Sequence, residues 1–260
     1  MKLSFSTLGC PDWNLARIAE RAKHYGFDGV ELRIGGDKHI DPAMSADERA
    51  EVKGLFARAG LGIASVSGYT QFAGLDDAAL DTQRGNLLRN IQLARDIGAP
   101  YVRTFIGEGD GGAVSPYGLQ VLRQAGEQAA ARGVMVLMET HDALSAGKKI
   151  KVLLDAVGGP GLGILWDMAH TVRAGETPEE TYALLGSAIK HVHIKDADAG
   201  ADYALCLPGE GALPMAGVAQ VLARHGYEGY LSFEWEKMWI PDLAEPEVAF
   251  PSFVAYMRSL

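Results

Sequence analysis

"KHVHIKDAD", Lys190 to Asp198, sets two histidines one residue apart and follows them with a lysine and two aspartates. Side chains of a β-strand alternate between its two faces, so a strand here puts His191, His193 and Lys195 on one side. Val192 and Ile194 share the other. The β-branched pair suits a face covered by helices. The polar trio is useful only if its face looks into a cavity. The segments on either side decide what encloses that cavity.

Downstream, "PMAGVAQVLARHG" has helical periodicity, "GYLSFEWE" (229–236) reads as a strand, and a last helix falls at 247–258. Immediately upstream lie "LGILWDMAH" (162–170), a strand, and the helical "TPEETYALLG". The same alternation runs back to the start. Strands are expected at 3–7, 29–34, 62–68, 101–107 and 134–141. Helices follow each: one capped by Asp12 and stopped at Gly26, then "SADERAEVKGLFARAG", "DAALDTQRGNLLRNIQLARDIG", "PYGLQVLRQAGEQAAARG" opened by Pro116, and one near 148–157. Eight strands, each followed by a helix, predict a single (β/α)8 TIM barrel over residues 1–260. A doubly wound open sheet has the same alternation, but "STLGCPDW" after the first strand is no glycine-rich phosphate loop.

The composition narrows the function. A formal net charge of −9 argues against a nucleic-acid partner. No run approaches the roughly 18 apolar residues of a membrane span. Neither signal nor transit peptide is recognisable at the N-terminus, and Cys10 and Cys206 are too few for a disulfide framework, so a reduced cytoplasmic setting is expected.

Barrel active sites lie at the C-terminal ends of the strands. There the fifth strand ends in Glu139, the sixth carries Asp167, the seventh His193 and the eighth Glu234. Inward Glu139 implies inward Leu137 and Met135; Asp167 brings Leu165 and Gly163, and Glu234 brings Ser232 and Tyr230. Three carboxylates around one point in a partly dry pocket repel one another unless protonated or neutralised, and a divalent cation is the simplest remedy. Carboxylates and imidazole without thiolate suit Mn²⁺, Mg²⁺ or Co²⁺, with Zn²⁺ as an alternative.

"GVELR", "METH", "WDMAH", "HVHIKD", "PGEG" and "YLSFEWE", in this order, resemble the xylose isomerase-like sugar phosphate isomerase/epimerase superfamily over nearly the whole chain. The resemblance implies one divalent metal held by Glu139, Asp167, His193 and Glu234, with Glu139 and Glu234 as the acid/base pair. It also implies a substrate contact from His170, three residues after Asp167, and a small-molecule carbohydrate substrate. Its ketohexose 3-epimerases carry an arginine just beyond the metal histidine. "KDADAGA" has none, and the "HIKD" form is more similar to the inosose dehydratase and hydroxypyruvate isomerase branches or to keto-sugar elimination enzymes.

Further residues fall near the expected mouth. Lys195 is either a donor to a substrate oxygen or a solvated rim lysine. Arg103 and Glu31 are read as pocket residues in preference to core ion pairs, and His191 as a buried, hydrogen-bonded histidine in preference to a second metal ligand. Trp13, Trp235 and Trp239 lie in or near mouth segments, where an aromatic face can pack a sugar; any one of them is more often core. "EKMWIPDLAEPEVAF" reads as a lid or a partner contact, and a homo-oligomer stays open. The expected function is an isomerase or epimerase working through an enediolate. The alternatives are a lyase on the same intermediate, a DNA-repair endonuclease such as endonuclease IV, and a sugar-binding protein without catalysis. Seven histidines and the acidic balance count against the endonuclease.

Overall fold

A computed structural model describes residues 1–35, 39–200 and 203–260. Eight parallel strands close into a barrel: β1 (Lys2–Ser6), β2 (Gly29–Arg33), β3 (Gly62–Ser67), β4 (Tyr101–Thr104), β5 (Met135–Glu139), β6 (Leu162–Asp167), β7 (Ile189–Ile194) and β10 (Tyr230–Phe233). Around it lie α1 (Leu15–Tyr25), α2 (Ala46–Ala59), α3 (Asp77–Ile97), α4 (Pro116–Ala130), α5 (Gly147–Val157), α6 (Met168–Arg173), α7 (Pro178–Leu185), α8 (Met215–Arg224) and α9 (Pro246–Ser259). The short antiparallel pair β8 (Asp196–Ala197) and β9 (Leu205–Cys206) follows β7. Among the described residues no helix is long and apolar enough to cross a membrane.

Local chemistry sets the helix limits. Ser45 and Glu48 form a capping box at the start of α2, and Gly26, Gly60 and Gly98 end α1, α2 and α3 in the left-handed conformation. Asp12 does not cap α1. A turn at Pro11–Asp12 precedes the helix, and Asn14 Oδ1 accepts from the Arg17 N–H at 2.9 Å instead. The sixth strand stops at Asp167 rather than running to His170, because the Asp167 carboxylate accepts from the Ala169 and His170 N–H groups and starts α6. Strands four and eight also end early. Past Thr104 the chain turns to the mouth loops, with the Phe105 N–H bonded to Thr70 O.

The helix-facing strand residues make the core. Phe5, Val30, Val66, Val102, Val136, Ile164, Val192, Leu231 and Phe233 are all fully buried. Phe5 stacks on Phe250 at 4.2 Å and Phe233 on Phe253 at 4.6 Å, so α9 seals the seam between the first and last strands. Trp13 and Trp235 belong to this core, whereas Trp239 is exposed.

Inside a TIM barrel, residues at one level come from alternate strands. Following the register through each intervening strand puts Ser4, Ser65, Leu137 and His191 on one level. Glu31, Arg103, Leu165 and Ser232 form the next, and Ser6, Ser67, Glu139 and His193 the one above. Arg33, Asp167 and Glu234 stand at the top. Such levels ordinarily carry bulky branched residues. Here, apart from Leu137 and Leu165, they carry small and ionisable ones, and the polarity increases toward the mouth.

Candidate active site

Glu139, Asp167 and His193 lie on three neighbouring strands and Glu234 directly follows the fourth, β10; all are buried, with one ligand-type atom each inside a 4.8 Å span. His193 Nδ1 lies 3.0 Å from Glu139 Oε1, 3.1 Å from Glu234 Oε1 and 4.0 Å from Asp167 Oδ2. Its other ring nitrogen, Nε2, lies 3.0 Å from both Glu31 carboxylate oxygens. With an acid on each side the imidazolium is the favoured form. Burial alone would lower the His193 pKa, but the charges of Glu234, Glu31 and Glu139 hold it well above the usual imidazole value.

The carboxyls respond in the opposite sense. Burial pushes each up, but neighbouring cations win. His193 charge and hydrogen bonds from His191 and His193 hold Glu31 well below the ordinary carboxylate value. His193 and Lys195 do the same for Glu234. Arg103 and His193 lower Glu139.

Lys195 lies in the mouth of the cluster, 2.5 Å from Glu234 Oε2, 2.9 Å from Glu236 Oε1 and 3.0 Å from Asp167 Oδ2. Burial works against its charge, but Asp167, Glu234 and Glu236 raise its pKa well above that of a free lysine. Arg103 Nη1 sits 3.3 Å from Glu139 Oε2 and 3.8 Å from Glu234 Oε1, so one guanidinium faces both glutamates. His170 is on the rim, with Nε2 3.7 Å from Asp167 Oδ2 and its ring against His141. Burial, assisted by Lys195, lowers its pKa despite Asp167.

Glu31 takes the alternative position, a core ion pair, instead of the pocket role favoured for it. It sits beneath His193, fully buried, with Ser67 Oγ at 2.5 Å and His191 Nε2 at 2.6 Å. His191 is the buried, hydrogen-bonded histidine expected from the sequence, although its Nδ1 has no partner among the described residues. Arg33, Tyr69 and His141 were missed by sequence reasoning and also face the mouth. Parity is the signal that finds two of them: Arg33 follows Glu31 by two, and His141 follows Glu139 by two.

The residues present fit a divalent metal. Among the described residues, buried Glu139 Oε2 and Asp167 Oδ2 accept no hydrogen bond; Arg103 Nη1 lies 3.3 Å from the first and Lys195 Nζ 3.0 Å from the second, both outside hydrogen-bonding geometry. Buried carboxylate oxygens without a hydrogen bond keep lone pairs available to a metal ion. The donor set lacks thiolate, as hard divalent ions prefer.

The model of the xylose isomerase-like TIM barrel family matches residues 19–259. The chain belongs to this family. Among its relatives, the fructoselysine 3-epimerase of Shigella flexneri is 23% identical over 256 residues, covering 92% of both chains. The 3-dehydroshikimate dehydratase of Pseudomonas aeruginosa is 27% identical over 223 residues, covering 80% of this chain, which spans only 34% of that relative's length. The probable 3-DHS dehydratase of petrobactin synthesis from Bacillus anthracis superposes with a TM-score of 0.80 at 20% identity, covering 99% of both chains, a likeness of fold. The family thus brings epimerases and dehydratases together on one barrel.

Proposed function

We propose that this member of the family is a divalent-metal-dependent isomerase or epimerase of a small keto-sugar, sugar phosphate or keto-inositol, working through an enediolate. The observation that carries the reading is the approach of Glu139 and Glu234, from different strands, to the same nitrogen of His193 at 3.0 and 3.1 Å. Two carboxylates flanking one point can serve the two sides of a substrate placed there.

Glu139, Asp167, His193 and Glu234 are the assigned metal ligands, with Mn²⁺ first and Mg²⁺, Co²⁺ or Zn²⁺ as alternatives. The ion, when bound, supplies a Lewis acid for the carbonyl and the neighbouring hydroxyl. The chain's own residues do the proton work. Carbon acids beside a carbonyl are weak, so the base must be ionised and close. Arg103 and Lys195 keep Glu139 and Glu234 in that state. One glutamate takes the proton and the other returns it, to the opposite face for epimerisation or to the neighbouring carbon for isomerisation. Lys195 presents an ammonium to a substrate oxygen, and Arg103 and His170 contact the substrate from the strand-four and strand-six sides.

A lyase is the second reading, favoured by the dehydratase among the relatives. There the same enediolate expels a β-hydroxyl, and Lys195 or His170 protonates the departing oxygen. Incubation of keto-sugars and keto-inositols in deuterated water separates the readings. Deuterium on carbon in a product of otherwise unchanged mass supports the first, and loss of water supports the second. At saturating Mn²⁺, Glu234→Gln is expected to lower exchange by about 10²–10⁴-fold. Undiminished exchange in that variant would contradict the acid/base assignment.

A further inference from the structure

Among the described residues, three buried basic side chains other than histidine face the barrel mouth, and they differ in their partners. Arg103 has Glu139 and Glu234, and Lys195 has Asp167, Glu234 and Glu236. Arg33 is only 2% exposed and has no acidic partner among the described residues. Its Nε donates to Tyr69 Oη at 2.6 Å and its Nη1 reaches the Met238 thioether at 3.0 Å; among the described residues no acceptor meets Nη2. A thioether is a weak acceptor. The rings of Trp239 and Tyr69 cover the guanidinium at 5.3 and 5.6 Å.

A buried cation without a counter-charge is costly and is retained where a ligand supplies the charge. Arg33 stands level with Asp167 and Glu234, and the Tyr69 ring that it touches also lies 5.0 Å from Arg103, which contacts Glu139. The guanidinium, without an acidic partner among the described residues, therefore borders the same mouth as the carboxylate cluster. Tyr69 Oη already accepts from Arg33, which leaves its own proton to donate. A planar guanidinium edge beside a phenol suits a carboxylate or a phosphate.

We infer that the substrate carries an anionic group, a carboxylate or a phosphate, which Arg33 and Tyr69 hold at the mouth beside the reacting carbons. This rests on the proposed reading of the site and narrows its substrate class to charged keto-sugars.

The test uses Mn²⁺-loaded protein and compounds matched except for charge: dihydroxyacetone, hydroxypyruvate and dihydroxyacetone phosphate, then D-fructose and D-fructose 6-phosphate. Calorimetry is expected to show the anionic members binding at least tenfold more tightly than the neutral ones, and the carboxylate and phosphate arms identify the group. Arg33→Met should remove that preference, change neutral binding less than twofold and leave Mn²⁺ affinity unaltered, with Arg33→Lys restoring part of it. Should Arg33→Met fail to fold, Tyr69→Phe, at a more exposed position, should weaken anion binding alone. Absence of a charge preference in the wild type, or its persistence in both variants, overturns the inference. Deuterium exchange in the same mixtures keeps the two readings apart. Exchange of neutral ketones without a charge preference sinks the anion site only, whereas an Arg33-dependent preference with no exchange of any compound sinks the enediolate reading only.

Discussion

Glu31 and His193 meet inside the barrel, with both carboxylate oxygens of Glu31 3.0 Å from His193 Nε2 and neither residue exposed to solvent. That contact fixes the imidazole so that Nδ1 faces Glu139, Asp167 and Glu234. A carboxylate behind a ligating imidazole orients it and raises its basicity. Glu31→Gln is therefore expected to weaken Mn²⁺ binding by about 10–100-fold. Glu31→Ala, which strands two buried imidazoles, should also destabilise the metal-free fold by about 3 kcal/mol. Metal titration and urea denaturation read the two effects, and unchanged metal affinity in both variants would remove Glu31 from this role.

Metal binding should release a proton. The carboxylates around His193 hold its pKa well above the ordinary imidazole value, so the metal-free ring is charged at neutral pH. A metal needs the Nδ1 lone pair, and the ring must give up its proton to offer it. Calorimetry at pH 7 in buffers of different ionisation enthalpy is expected to show close to one proton released per ion. The same enthalpy in every buffer would mean that His193 is already neutral or does not bind.

Stability of the metal-free protein should be greatest in mildly acidic solution. Glu31 and Glu234 have folded values well below the ordinary carboxylate one, so their contribution is complete above about pH 4.5 and is lost as pH falls through the folded values. His193 has the opposite sign. Its contribution is complete below about pH 6.5 and is lost as pH rises through its raised value. Tm measured against pH with a chelator present should peak between these limits. A maximum above pH 8 would contradict the charge assignment.

The barrel was legible because eight apolar strand patterns alternate with helices closed by glycines, and strand parity brought Glu139, Asp167, His193 and Glu234 to one end. Depth was less legible. Register shifts between Val30 and Glu31 and between Ile164 and Leu165 help set where Glu31 and His191 stand against His193, and no sequence pattern announces them. Strand ends were overrun for a related reason. β-rich residues continue in "TFIG" and "FEWE" after the neighbouring strands have stopped pairing. Asp167 serves as helix cap as well as candidate ligand, so "MAH" folds as helix instead of extending the strand. Trp13 and Trp235 followed the commoner tendency of tryptophan and joined the core.

The convergence of four side chains on a single cation is tested most directly by anomalous diffraction from crystals grown with Mn²⁺. One manganese peak per chain is expected, about 2.0–2.4 Å from oxygens of Glu139, Asp167 and Glu234 and from His193 Nδ1. A peak elsewhere, or none at saturating Mn²⁺, would contradict the metal assignment and the proton chemistry that depends on it.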